Sequence, residues 1–405
     1  MTRDASRFLA PDFLSLTIGI VVYFIGVLTT QRVKFLRDFS IPEPVSGGFI
    51  AVAVISLIYL VFNLEIEFDL TTRDRLLVVF FATVGINTRL ADLLAGGRTL
   101  VVLCLISALF LFVQNIVGTV GALAFGMPPA AGVVIGSLAL SGGHGTTIAW
   151  APLIAAEHDF PAAMETGMAT ATLGLILGCV LGGPIAKYLV ERYGLQPSPA
   201  DQAPIELAPE DDKAPIDKMG VMRAMLVVNI AVILGYLVHH WISSATAIKL
   251  PLFVPCLIMG VVLSNTFPKL FPRWSWPART ASLDLISSYS LSVFLAMSLM
   301  SMQLWTLTGI AGPLLVILGA QTLLAAIYTL LVVFPVLGKD YQAAVLSAGF
   351  TSISLGSTAT AIATMTAVTK HYGPSPNAFV ILPLTSALFL SLVNVAAITL
   401  FLSLR

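Results

Sequence analysis

The chain is poor in charge. Only 10% of its 405 residues are Asp, Glu, Lys or Arg, and 57% are hydrophobic. Soluble domains carry about 25% charged residues, so there is little room here for a water-facing domain. With a mean hydropathy of +0.94, the composition is that of a polytopic membrane protein. The 21 basic and 21 acidic residues cancel, which leaves no basic excess for nucleic acid. Cysteine is scarce. Cys104, Cys179 and Cys256 lie in apolar runs and read as buried thiols, not as a disulfide framework. His144 has no second histidine at metal-ligand spacing, which argues against a metal centre other than a sodium site. The spans are also short of deep acids, and proton-coupled carriers usually need an intramembrane carboxylate or histidine relay.

What is present is a series of long apolar runs. A span needs about 20 such residues. Spans fall near 11–30, 45–62, 76–93, 99–125 and 165–187, then 221–241, 251–267, 284–305, 311–336 and 377–403. The first run is too long for a signal-peptide core and lacks a small-residue cleavage pattern, so it reads as a retained span. Between the two sets of five lies 191–220, rich in proline (Pro197, Pro199, Pro204, Pro209, Pro215) and acids, which reads as a flexible cytoplasmic tether.

Two stretches do not read as plain spans. Ser141-Gly142-Gly143-His144-Gly145-Thr146-Thr147 sits inside 128–162, and Gly356-Ser357-Thr358-Ala359-Thr360 inside 341–372. Glycine and hydroxyl residues there expose backbone, which survives at membrane depth only when buried in protein or lining a cavity. Each region reads as a re-entrant hairpin, with a pair of ordinary helices as the alternative. An offset of 214 aligns Gly142 with Gly356, Thr146 with Thr360, Ile148 with Ile362, Ala149 with Ala363, Phe80 with Phe294 and Ala82 with Ala296. An offset of 209 aligns Pro42 with Pro251 and Val45 with Val254. The expected fold is therefore all-α and polytopic, with two repeats of about five transmembrane helices and one hairpin each: 1–190, the linker 191–220, and 221–405. Interruptions at matching places in two halves are a pointer to a transporter site.

Basic residues set the expected orientation. With the N-terminus outside, fifteen of the 21 Lys and Arg lie inside; Arg3, Arg7, Arg73, Arg75, Lys249 and Arg405 lie outside. Both termini are then outside. Five crossings per half make the repeats inverted, and the two hairpins enter from opposite faces.

The chemistry on offer is neutral. Ser141, Thr146, Thr147, Ser357, Thr358 and Thr360 supply hydroxyls, and Asn87, Gln114, Asn115, Asn265, Gln321 and Asn394 supply amides inside apolar runs. Unwound backbone adds carbonyls for sodium and amides for an anion. Each amide could equally bridge two helices. Glu165 and Asp284 stand near span ends, where they either touch solute or face the interface, and Glu43 reads as a turn residue. The expected solute-binding residues are Ser141, Gly142, Gly143, His144, Gly145, Thr146, Ser357, Thr358 and Thr360; those expected for sodium are Gln114, Asn115, Glu165, Asn265 and Asn394. No other cofactor is expected. A membrane-embedded hydrolase using Ser141 and His144 is a weaker alternative, because no adjacent acid orients the histidine.

The chain resembles the bacterial sodium/glutamate symporters. The resemblance rests on Ile41-Pro42-Glu43-Pro44-Val45, Phe80-Phe81-Ala82-Thr83-Val84-Gly85-Ile86-Asn87, Gln114-Asn115, Leu140 to Thr146, Glu165, Leu263-Ser264-Asn265 and Phe294-Leu295-Ala296-Met297. It implies sodium-driven uptake of L-glutamate across the inner membrane, a homodimer, and an elevator motion of a transport domain against a scaffold. Two departures point to an alternative: a symporter or exchanger for another small carboxylate or amino acid, with or without sodium coupling. The second hairpin, Phe350 to Thr360, has fewer glycines than the family pattern and lacks a proline before its last threonine. In the last span Ser391 stands where an acid is expected.

Overall fold

In a computed structural model, the described residues are 6–38, 42–62, 64–88, 97–197, 216–245, 250–271, 273–302 and 309–404. Ile41 of the loop motif lies outside them, as do residues 198–215 of the linker and the side chains of Arg3, Arg89, Lys213, Lys249 and Arg405.

Helices dominate, as the apolar runs predict. Among the described residues, eight are long and apolar enough to cross a membrane: Asp12–Arg32, Glu43–Phe62, Gly97–Ala124, Ala163–Tyr193, Lys218–Ser244, Phe253–Leu270, Ala281–Met300 and Ala311–Val336. The other two expected spans are also helical. Of the one expected at 76–93, residues 89–93 lie outside the described residues; its helix runs from Thr71 to Asn87 and starts on a polar turn. The one at 377–403 is cut into Pro376–Leu384, a π-helical turn Thr385–Leu390, and Ser391–Ser403. The 165–187 span is longer than expected and takes in the first residues of the linker. It ends where Gly194 turns left-handed (φ 62°), a conformation glycine adopts without steric cost.

The chain forms two compact units, and each draws on both halves of the sequence. One comprises Met1–Arg89 and Pro209–Thr306, the other Leu90–Ala208 and Leu307–Arg405. The first unit adds something the apolar periodicity did not predict, a two-stranded parallel ribbon pairing Ser6–Ala10 with Leu64–Phe68. Asp12 anchors its end by accepting from the Thr72 backbone N–H (2.8 Å) and hydroxyl (2.6 Å). Helices in this unit meet on glycine. A Cβ on Gly26 would overlap the Glu43 carbonyl, and one on Gly85 the Leu257 carbonyl. Small residues allow this approach where the surrounding solvent is itself apolar. Phe13, Phe24, Leu57, Leu60 and Phe62 remain exposed, as lipid-facing side chains do.

The second unit has the larger core, built on Phe110, Tyr328, Phe334, Tyr341 and Phe350. It contains both interrupted regions. The first is Pro129–Val133, a π-helical turn Val134–Leu138, a break at 139–142, and Gly143–Glu157. The second is Tyr341–Leu355, a break at Gly356 and Ser357, and Thr358–Tyr372. Three π-helical turns (Val134–Leu138, Thr329–Val333, Thr385–Leu390) are described in this unit. Such turns often mark functional positions.

Candidate functional site

The first break begins at Gly136, whose backbone leaves helical geometry (φ −95°, ψ −133°). Breaking the helix frees backbone groups that must be paired when buried. Side-chain amides do this at Ser137. Asn115 Oδ1 accepts its N–H at 3.0 Å, and Asn394 Nδ2 donates to its carbonyl at 3.0 Å. The Gly142 N–H donates to that carbonyl too, at 2.8 Å, which closes the turn. Gly143 then takes φ +71°, where any Cβ is strained. Gly142 is needed for space: a Cβ there would overlap the Leu138 carbonyl and stand 2.9 Å from Asn394 Nδ2.

The second break closes on itself. Ser357 caps the following helix by accepting from the Thr360 N–H at 3.3 Å, and Thr360 Oγ1 accepts from the Ser357 N–H at 3.1 Å. This reciprocal capping box uses two residues named from sequence. Thr358, beside them, shares a short hydrogen bond with Ser386 of the π-helical turn.

Gln114 joins the two breaks. Its Oε1 accepts from the Ser141 hydroxyl at 2.8 Å, and its Nε2 donates to the Ser354 carbonyl at 2.8 Å. Gln321 Nε2 holds the Gln114 carbonyl at 2.8 Å. Gln114, Asn115 and Gln321 have no exposed surface, and Asn394 has 3%. The carriers are neutral, yet their hydrogen-bonding capacity is not used up. Asn115 Nδ2, Asn394 Oδ1 and Ser137 Oγ have no protein partner among the described residues. A spare donor and spare acceptors therefore stand on both sides of one backbone unit. An unpaired buried polar group costs about 1–3 kcal/mol, so the cluster is poised to bind something polar.

His144 lies in the first turn of Gly143–Glu157, and its Nε2 is 3.0 Å from Thr172 Oγ1. Thr172 Oγ1 also donates to the Met168 carbonyl at 2.9 Å; with that bond made, the tautomer protonated at Nε2 completes the contact with His144. Ser141 gives its proton to Gln114, and His144 turns to Thr172; neither is directed at the other as a nucleophile and base would be. Gly145 and Thr146 follow in the same helix, part-buried. Glu165 is buried in the first turn of Ala163–Tyr193, where the helix dipole favours an anion. Asn265 belongs to the first unit, where it donates to the Thr88 carbonyl at 3.0 Å. Ser391 opens the last helix, directly after the π-helical turn. No group of three potential metal ligands is found among the described residues.

Sequence reasoning missed Ser137, Thr172, Ser354 and Ser386. Each is a hydroxyl residue within a largely apolar or hydroxyl-rich helix, a faint signal because such residues commonly bond their own helix.

Eight apolar helices among the described residues and a buried cluster of side-chain amides mark a polytopic α-helical membrane protein. The sequence profile described as sodium/glutamate symporter matches residues 12–374. A sodium/glutamate symporter of Haemophilus influenzae is 36% identical over 386 residues, covering 94% of this chain and 95% of its own length. Those of Escherichia coli and Shigella flexneri are each 37% identical over 398 residues, 96% of this chain and 97% of theirs. The chain belongs to the sodium/glutamate symporter family. Its named relatives are transporters, not enzymes.

Proposed function

We propose that this protein is a sodium-coupled symporter that takes up L-glutamate across the bacterial inner membrane. The observation that carries the reading is the single side chain of Gln114 holding both broken segments, beside amides with unused valences. Asn115 Nδ2 is a donor suited to a solute carboxylate. Asn394 Oδ1 and Ser137 Oγ are acceptors suited to sodium or to an α-ammonium. Ser141 to Thr146 and Ser357 to Thr360 line the two tips. Glu165 and, in the other unit, Asn265 stay as further sodium candidates. A neutral wall fits this pairing, since the ion and the anionic solute compensate each other.

The same reading makes 1–190 and 221–405 inverted repeats joined by the linker 191–220, with re-entrant hairpins at 128–162 and 341–372 and both termini outside. The internal contacts support a repeat. Under the offset of 214, the His144–Thr172 contact corresponds to Thr358–Ser386. Asn115–Ser137 corresponds to Thr329–Thr351, whose hydroxyls are 3.0 Å apart. Phe80 and its counterpart Phe294 touch each other, with ring centres 5.6 Å apart, as residues on a two-fold axis would. Alternating access is then an elevator-type motion within a homodimer embedded in lipid. Its support is that the entire Gln114 cluster belongs to one compact unit.

The test is radiolabelled L-glutamate uptake into proteoliposomes under an inward sodium gradient, then with potassium in its place. Uptake that needs sodium is the expected result. Uptake unchanged in potassium would remove the coupling ion from the proposal. No glutamate uptake by folded protein would shift the solute to another small carboxylate, the outcome that the altered second break and Ser391 favour.

A further inference from the structure

The second unit holds another concave feature, away from Gln114 in sequence and in chemistry. A groove of about 250 Å³ runs between the end of the Ala163–Tyr193 helix and the last turn of Thr358–Tyr372. Gly183, Lys187 and Glu191 form one wall; Val368, His371 and Tyr372 form the other. Gly183, Lys187 and Glu191 are spaced by four residues and so share one helix face. The floor is apolar and open, because nothing lies within 4 Å of where a Cβ on Gly183 would stand.

The rim carries both signs of charge. Lys187 Nζ is 3.9 Å from Glu191 Oε1, and the Tyr372 hydroxyl donates to that same oxygen at 3.4 Å. Both contacts are long, and the two charged side chains are 66% and 58% exposed. A surface pair of this kind holds itself together weakly, so both charges can turn to a ligand at small cost.

The groove also lies where an apolar run ends. Tyr188 and Tyr193 are exposed on the same stretch of helix, with Glu191 and Arg192 between them. Tyrosine and arginine gather at the membrane–water interface. Further along the two helices, on their apolar parts, Val180 and Ile362 are exposed.

We propose that this groove binds the headgroup of a zwitterionic aminophospholipid. The phosphate lies against Lys187 and His371, the ammonium against Glu191 and the Tyr372 oxygen, and the upper acyl chain over Gly183 and Val368. The pairing follows from charge. An anionic headgroup would meet Glu191 uncompensated. A quaternary ammonium has no N–H to give to that carboxylate. A free amino acid offers both charges but nothing for the apolar floor. The inference stands whether or not the transported solute is glutamate.

The experiment is native mass spectrometry of the purified full-length protein with short-chain phosphatidylethanolamine, phosphatidylcholine and phosphatidylglycerol. Phosphatidylethanolamine is expected to be retained several-fold better than the other two. Lys187→Ala and Glu191→Gln are each expected to bring its retention down to the phosphatidylcholine level. Both positions are exposed, so elution and thermal unfolding should stay as in the parent protein. L-glutamate at equal concentration should not displace the lipid. Equal retention of all three lipids, or unchanged retention in both variants, would overturn the proposal. Displacement by L-glutamate would overturn it as well and assign the groove to a free amino acid.

Discussion

The two breaks in the second unit do the same job by different means. From Gly136 to Gly142 the chain is held from outside: Asn115 and Asn394 reach in from distant helices to pair the backbone of Ser137. At 356–357 it is held from within, by Ser357 and Thr360 capping each other. At matching positions the first break has His144 on Thr172, and the second has Thr358 on Ser386. The difference teaches where each break is vulnerable. The first depends on glycine and on remote amides, so its geometry is tied to the core around it. The second carries its own cap, so its turn depends less on the neighbouring helices that reach it through Gln114 and Ser386.

Four comparisons break or sharpen this contrast. The largest effect is expected from placing the same side chain at the paired glycines. Gly142→Ala should abolish uptake while the protein still inserts, because its Cβ would overlap the Leu138 carbonyl. Gly356→Ala should only slow uptake, since its Cβ would meet Leu175 Cα at 3.1 Å, a contact a small shift relieves. Equal loss in the two, measured by uptake at matched membrane abundance, would erase the contrast.

The next largest effect concerns the remote support. Asn115→Ala leaves the buried Ser137 N–H unpaired and should cost about 1–3 kcal/mol. Its counterpart Thr329→Val removes one hydroxyl pair and should cost about 0.5–1.5 kcal/mol. Thermal unfolding in detergent ranks them, and a reversed order would contradict the account. Smaller still is Ser357→Ala, which removes the cap at about 1 kcal/mol. Ser357→Asp should recover most of the lost unfolding temperature, because aspartate caps as well as serine does; Ser357→Val should not. Smallest is His144→Thr, which gives the first half the hydroxyl pair of the second. It should leave unfolding nearly unchanged and lower uptake only a few-fold. Complete loss of uptake would give the imidazole a role beyond its bond to Thr172.

Much of this architecture is legible in the sequence. Long apolar runs announce the helices, since the bilayer admits few alternatives. Gly142, Gly143 and Gly356 announce the breaks, because a broken helix needs residues that tolerate unusual backbone geometry. The amides Gln114, Asn115 and Asn394 stand out against their neighbours. What could not be read is which partner each amide takes. Asn115 meets Ser137 across 22 residues and Asn394 meets it across 257, separations that carry no local signal. The π-helical turns were invisible for a related reason: Thr329 and Ser386 sit in segments with ordinary helical composition, and only tertiary contacts reveal the extra residue. The compact units were hidden as well, because each is assembled from both sequence halves.

The central claim is that both breaks border one solute site. It is tested most directly by thiol protection in a background with Cys104, Cys179 and Cys256 replaced by alanine. Ser141→Cys reports on the first break and Thr358→Cys on the second. The account predicts that each thiol is labelled in buffer, and that L-glutamate with sodium slows labelling at both while glutamate with potassium slows neither. Protection of one thiol alone, or protection that ignores sodium, would contradict it.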